Sequence, residues 1–153
     1  LIFLDEPTSG VSPTARRQFF NIIQELAAGG ATVIVSTHFM DEAERCDKIA
    51  FFHQGRLLAL DSPDQLKKGL DGYMVRLEVT DPFRQMEILT SLPFVKDCSF
   101  QGLSLRLLLN DSGSIKDLQK VTGYKPTRLT PNLEDVFINL LRQQDSTERR
   151  ELP

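Results

Sequence analysis

LIFLDEPTSG, Leu1 to Gly10, runs four apolar residues straight into two adjacent carboxylates, Asp5 and Glu6, and then into a turn-forming Pro-Thr-Ser-Gly. A continuous apolar run of this length reads as a strand buried on both faces of a parallel sheet. Such a strand delivers the residues after it to the carboxyl edge of the sheet, where open α/β sheets bind ligands. Two acids at that edge are costly to desolvate unless something neutralises them, and a bound cation does so.

The next segments extend this unit. Ser12 is a good helix N-cap with Pro13 at the first helical position. Phe19, Ile22, Ile23 and Leu26 then recur at i, i+3, i+4, i+7, one apolar face for packing on a sheet, and Gly29-Gly30 stops the helix. Thr32 to Ser36 reads as a second β-branched strand, and the helical crossover is long enough for parallel pairing. Right-handed crossover then places Thr37 and His38 on the same edge as Asp5 and Glu6. A short acidic helix from about Met40 to Cys46 comes next, its acids Asp41, Glu42 and Glu44 reading as solvated surface, as does His53. Ile49 to His53 and Arg56 to Leu60 form a hairpin around Gln54-Gly55, and Ser62-Pro63-Asp64-Gln65 is a capping box. Gly69 and Asp71-Gly72 mark a domain boundary near residue 70.

Composition bounds the alternatives. With 41% hydrophobic and 25% charged residues, the chain has the balance of a soluble globular protein, and its 153 residues suit one ordinary domain or two small ones. A net charge of −3 gives no reason to expect nucleic acid as a partner. There is no apolar run of roughly 18–20 residues to span a bilayer, and no stretch with the form of a signal peptide. Cys46 and Cys98 lack any CxxC or His pairing, so they read as reduced thiols. A chain that begins without Met inside a core strand is expected to be a piece of a longer protein. Apolar surface and open edges around Leu1–Leu4 and Val33–Val35 are then expected, with self-association of the piece.

LIFLDEPTSG resembles the Walker B strand and adjoining loop of ABC transporter ATPases, and VIVSTHFMDEAERCDKIAFFHQGRLLALDSP resembles their switch-histidine segment and downstream hairpin. The likeness runs continuously over residues 1 to about 70 and is closest to the subgroup powering multidrug-type exporters. It implies roles residue by residue. Asp5 would hold Mg²⁺, usually through water; Glu6 would orient or polarise the water attacking the γ-phosphate; His38 would contact that phosphate. Ser9, Gly10 and Ser12 would lie in the loop that crosses to a second ATPase domain in a nucleotide-sandwich dimer. The family usually carries Asp where this chain has Ser12, so the coupling made by that carboxylate is in question while the capping role survives. Read without the family, Asp5 and Glu6 are turn acids and His38 a core or capping histidine. Neither a GxxxxGK[ST] phosphate loop nor an LSGGQ-like segment occurs in the 153 residues. Residues 1–70 are therefore expected to be a partial ATPase domain that by itself neither binds ATP tightly nor hydrolyses it, with Mg²⁺ and ATP as cofactors of the longer parent only.

From Tyr73 the pattern changes to alternation. Val75, Leu77 and Val79 face one way; a helix from Asp81-Pro82 ends at Pro93; Val95 to Phe100 and Leu103 to Leu109 read as strands. A helix faced by Ile115, Leu118 and Val121 ends at Gly123, and Tyr124 to Leu129 forms a fourth strand. The order β-α-β-β-α-β is that of a ferredoxin-like sandwich. Thr130-Pro131-Asn132 opens a last helix faced by Leu133, Val136, Phe137, Leu140 and Leu141, and TPNLEDVFINL resembles the closing helix of exporter-type ABC ATPases. The expected class is thus α/β: the C-terminal part of a P-loop ATPase parallel sheet (1–70), then a small α+β accessory domain with the final helix (71–143) and a polar, disordered tail (144–153). The resemblance implies an ATP-hydrolysing subunit of an exporter, cytoplasmic and peripheral on the membrane through permease subunits. Two other readings stand beside it: a degenerate regulatory module with little hydrolysis of its own, and a soluble ATP-dependent mechanical switch.

Overall fold

β-branched and aromatic side chains between turn signals build the first strands. β1 (Ile2–Asp5) pairs in parallel with β2 (Val33–Ser36), Ile2 opposite Val33 through Asp5 opposite Ser36. The crossover is α1 (Pro13–Ala28), capped by Ser12, whose Oγ accepts the Ala15 N–H at 3.4 Å, and closed at Gly29. These elements belong to a computed structural model that describes the backbone of residues 1–151 and the side chains of residues 1–144. It divides into two compact units, Leu1–Lys68 with the stretch from Val136 onward, and Gly69–Asp135. Among the described residues no helix is long and apolar enough to cross a membrane.

In the first unit, β2 leads into α2 (Met40–Ala43), the hairpin β3 (Ile49–His53) and β4 (Arg56–Asp61), and α3 (Pro63–Lys68). The hairpin turns on Gln54 (φ 48°) and Gly55 (φ 75°), both left-handed as a two-residue turn of this twist requires. Arg45 ties the end of the α2 segment to α1 through the Asn21 and Gln24 side-chain oxygens and the Arg17 carbonyl. The apolar surface expected around Leu1–Leu4 and Val33–Val35 is present: Phe3 is 69% and Ile34 50% exposed, because two strands leave one sheet face uncovered. Two expectations are corrected. On α1 the buried residue is Phe20, while Ile22 and Leu26 lie exposed, so the helix is rotated from its apparent apolar stripe. α2 closes at Ala43, and Arg45 and Cys46 continue it only as tight turns.

The second unit consists of β5 (Tyr73–Glu78), α4 (Pro82–Thr90), β6 (Val95–Gln101), β7 (Ser104–Leu109), α5 (Ser114–Thr122) and β8 (Thr127–Arg128). Its sheet is antiparallel throughout, with strand order β6-β7-β5-β8. Val75, Leu77, Leu105, Leu107 and Leu109 from the sheet meet Leu89 of α4 and Leu118 of α5 in a closed core. Each such side chain contributes roughly 1.5–3 kcal/mol on leaving water. Asp81 caps α4, its carboxylate accepting the Arg84 N–H at 3.1 Å, and Gly123 ends α5 at φ 74°. Gly72, at φ 142°, has no room for a Cβ, which would stand 2.6 Å from the Leu109 carbonyl oxygen. β8 is shorter than expected because Pro126 has no N–H for a ladder. Val121 is exposed rather than part of the α5 core face.

α6 (Leu133–Glu151) begins two residues later than expected: Asn132, not Thr130, is the cap, accepting the Asp135 N–H at 2.9 Å while Asp135 accepts the Asn132 N–H at 2.7 Å. This reciprocal cap is pinned by Arg106 of β7, which donates from Nε to Asp135 at 2.7 Å and from a second nitrogen to its other oxygen. From Val136 on, α6 groups with the first unit rather than the accessory one, with the Phe137 ring 5.2 Å from Phe51. The helix also continues over 144–151, where Gln, Glu and Arg favour helix in a stretch expected to be a disordered tail; residues 152–153 lie outside the described residues.

Candidate functional site

β1 and β2 are parallel and in register, so their C-terminal ends fall at one place. Asp5 is the last residue of β1 and stands opposite Ser36, the last of β2. The Ser36 hydroxyl donates to Asp5 Oδ1 and accepts the Glu6 N–H at 3.0 Å, and the Glu6 N–H also reaches the Ser36 carbonyl at 3.1 Å. One serine thus fixes both acids.

Glu6 has φ 41°, a left-handed conformation that non-glycine residues seldom adopt and that persists only where surrounding bonds impose it. Two turns come next. The Ser9 N–H closes onto the Glu6 carbonyl at 3.0 Å, with Pro7 at the position that presets φ, and the Val11 N–H closes onto the Thr8 carbonyl at 3.1 Å, with Gly10 at φ 72°. Ser9 and Gly10 therefore lie in the bend, and Ser12 serves as the cap of α1. Two residues beyond Ser36, His38 returns to the acids: its Nδ1 stands 3.3 Å from Glu6 Oε1, with both side chains about half exposed. Its ring packs on Phe39, centroids 4.0 Å apart. Asp5, Glu6 and His38 converge; Ser9, Gly10 and Ser12 line the adjoining loop.

The AAA domain, putative AbiEii toxin, Type IV TA system family matches residues 1–39, which span β1, α1, β2 and the residues up to Phe39. The probable multidrug ABC transporter ATP-binding protein YbhF of Escherichia coli (strain K12) is 54% identical over 155 residues, covering 97% of this chain and 26% of that protein. At 54% identity over 97% of its length, the chain is homologous to part of an ABC transporter ATP-binding protein. The Nod factor export ATP-binding protein I of Burkholderia lata is 33% identical over 92% of this chain and 46% of its own length. The fluoroquinolones export ATP-binding protein MT2762 of Mycobacterium tuberculosis (strain CDC 1551 / Oshkosh) is 48% identical over 51% of this chain and 26% of its own length. The chain thus spans about a quarter to just under half of these ABC ATP-binding proteins.

The carboxylates at this edge have the hard-oxygen chemistry that suits Mg²⁺. Among the described residues no three His, Cys, Asp or Glu side chains gather into a metal cage. Mg²⁺ in phosphate-handling sites takes one or two carboxylates and draws its other ligands from phosphate and water. Asp5, exposed and oriented by Ser36, is a suitable hard ligand.

Several residues at this edge are not marked by the sequence pattern. Glu42, expected on the surface with Asp41 and Glu44, is 1% exposed. Its two oxygens accept from the Thr8 and Thr37 hydroxyls, and Arg16 Nε of α1 lies 3.3 Å from Oε1. The Arg16 guanidinium in turn stacks 3.6 Å over Phe39. Its neighbour Glu44 instead pairs with Lys67 at 2.7 Å, which raises the lysine's pKa through that hydrogen bond. A signal is present: Phe39, Ala43 and Cys46 form an i, i+4, i+7 apolar stripe, and Glu42 at i+3 interrupts it with a charge.

Proposed function

We propose that this chain supplies the metal- and water-handling part of the nucleotide site in the ATP-hydrolysing subunit of an ABC exporter. The observation that carries it is the approach of His38 Nδ1 to Glu6 Oε1, 3.3 Å apart beside Asp5 at adjoining parallel strand ends. Glu6 is placed to accept a hydrogen bond from a water and to orient it toward the terminal phosphorus of ATP. His38 holds Glu6 on one side and offers its ring to the same phosphate group. Asp5 is held through its Oδ1 by Ser36 and is the residue that would hold Mg²⁺ through water. Bound Mg²⁺ would neutralise charge developing on the phosphate oxygens.

The bend at Ser9 and Gly10, running into Ser12, is the part that would face a second ATPase domain. Permease subunits would convert closure and reopening of that pair into export, with the chain on the cytoplasmic face of the membrane. The names of two relatives, given to Nod factor export and fluoroquinolones export, support this direction of transport, and a third names a multidrug transporter. The strand order β6-β7-β5-β8 of the second unit supports reading it as a ferredoxin-like accessory module. Phosphate-cradling amides and the accompanying lysine must come from a phosphate loop, a sequence these 153 residues do not contain. The 153 residues by themselves therefore hydrolyse no ATP. Ser12 favours a second reading, a regulatory module of low turnover, since its hydroxyl serves the cap of α1.

The test is steady-state ATP turnover by the full-length protein. Glu6→Gln is expected to lower kcat by about 100-fold or more, the range for loss of a general base. A Glu6→Gln protein as active as its parent would refute the assignment, and a parent without turnover would favour the regulatory reading. Calorimetric titration of the 153 residues with Mg-ATP is expected to show no saturable binding below about 1 mM.

A further inference from the structure

We infer that Glu42 is a positioning residue: a buried strut that holds the loop carrying Glu6 and the loop carrying His38 at a fixed separation. The inference rests on the hydrolytic reading of Glu6 and His38.

A carboxylate this deeply buried is destabilising unless both oxygens are engaged. Here each takes a hydroxyl hydrogen from a different loop, Thr8 on one and Thr37 on the other. Thr8 stands two residues after Glu6, in the turn that the Ser9 N–H closes onto the Glu6 carbonyl. Anchoring Thr8, itself 1% exposed, therefore restrains the left-handed Glu6 backbone. Thr37 immediately precedes His38, and its oxygen also accepts the Phe39 N–H at 3.0 Å, so the same bond fixes the entry into α2. Arg16 supplies the balancing charge from α1 at 3.3 Å while its guanidinium covers Phe39, the neighbour of the His38 ring. One carboxylate thus joins the β1 loop, the β2 loop and α1. Asp41 and Glu44 flank it and make no such links: Asp41 is exposed, with Arg16 at 3.9 Å, and Glu44 pairs with Lys67.

Two substitutions read the strut in the full-length protein. Glu42→Ala removes both acceptors; Glu42→Gln keeps one oxygen and the side-chain shape but loses the charge facing Arg16. Because catalytic groups displaced by about 1 Å lose up to ~100-fold in rate, Glu42→Ala is expected to lower kcat by about 10- to 100-fold. Its KM for ATP should stay within about twofold, since the groups displaced, Glu6 and His38, are read as acting on the reacting water and phosphate in the transition state. Glu42→Gln should fall between parent and Ala variant. Amide hydrogen exchange should rise together in residues 8–11 and 37–39 of Glu42→Ala and stay unchanged in the β3–β4 hairpin.

Parental kcat in Glu42→Ala, or exchange that rises alike across β1 to β4, would overturn the inference. The second result would mark Glu42 as a general stabiliser only. Should Glu42→Ala not fold, Thr8→Val and Thr37→Val each cut one link; both must lower kcat at constant KM, and a pair of fully active variants would refute the strut. If the parent itself shows no ATP turnover, the hydrolytic reading fails and the exchange experiment alone decides: a paired rise in the two loops supports the strut, and independent or absent changes refute it.

Discussion

The two units bury different chemistry. In Gly69–Asp135 the interior is nearly all aliphatic, with Leu77, Leu89, Leu105, Leu107, Leu109 and Leu118 fully inaccessible between an antiparallel sheet and its two helices. In the first unit the fully inaccessible side chains include Thr8 and Glu42 beside Phe20, while Phe3, Ile22, Leu26 and Ile34 face outward. The interior of the second unit serves stability; the first uses buried polar groups to set loop geometry at the ends of β1 and β2. A buried hydrogen-bonded charge contributes little net stability but fixes one arrangement. Under the proposed function, that is the division expected between a module that supports and a module that performs chemistry.

The sharpest way to break this contrast is to truncate equivalent aliphatic residues in both units. Leu107→Ala is expected to cost about 2–5 kcal/mol, the range for a fully buried leucine. Ile34→Ala on the open sheet face should change stability by no more than about 0.5 kcal/mol, and should lessen self-association in light scattering. Urea unfolding reads the first, and comparable losses at both positions would erase the distinction. A smaller effect is expected at Gly72. Gly72→Ala adds a methyl against the Leu109 carbonyl at a φ of 142°, and backbone strain of this kind costs roughly 1–3 kcal/mol. It should destabilise the second unit in the same urea experiment.

The gentlest probe is thiol chemistry. Burial pushes the Cys98 thiol up to about 11, with Asp97 adding to the shift, and burial also raises Cys46. At pH 8 the Cys98 thiolate is scarce, so the folded protein should resist alkylation at Cys98 and lose that protection in denaturant. Rapid labelling of native Cys98 would show the second core to be open.

Local chemistry makes much of this legible. The caps at Ser12 and Asp81, the left-handed stop at Gly123 and the Gln54-Gly55 turn all arise from residue types that tolerate few other settings. The length of α1 then permits parallel pairing, and with it the meeting of Asp5, Glu6 and His38. The features that stay hidden depend on partners distant in sequence. Glu42 looks like its exposed neighbours Asp41 and Glu44 until Thr8, 34 positions away, and Arg16 are seen to close on it. The buried face of α1 is not legible because Phe20 and Ile22 are equally apolar, and only tertiary packing chooses between them. At the start of α6, Thr130-Pro131 imitates a cap, whereas the Arg106–Asp135 pair from the sheet sets the true start at Asn132.

The central claim is that Glu6 and His38 act as one unit on nucleotide hydrolysis, and a double-mutant cycle on ATP turnover by the full-length protein tests it most directly. Residues that work together lose activity non-additively. Glu6→Gln combined with His38→Ala should therefore be no slower than the more damaging single change. Losses that multiply, or a His38→Ala protein with parental kcat, would contradict the account.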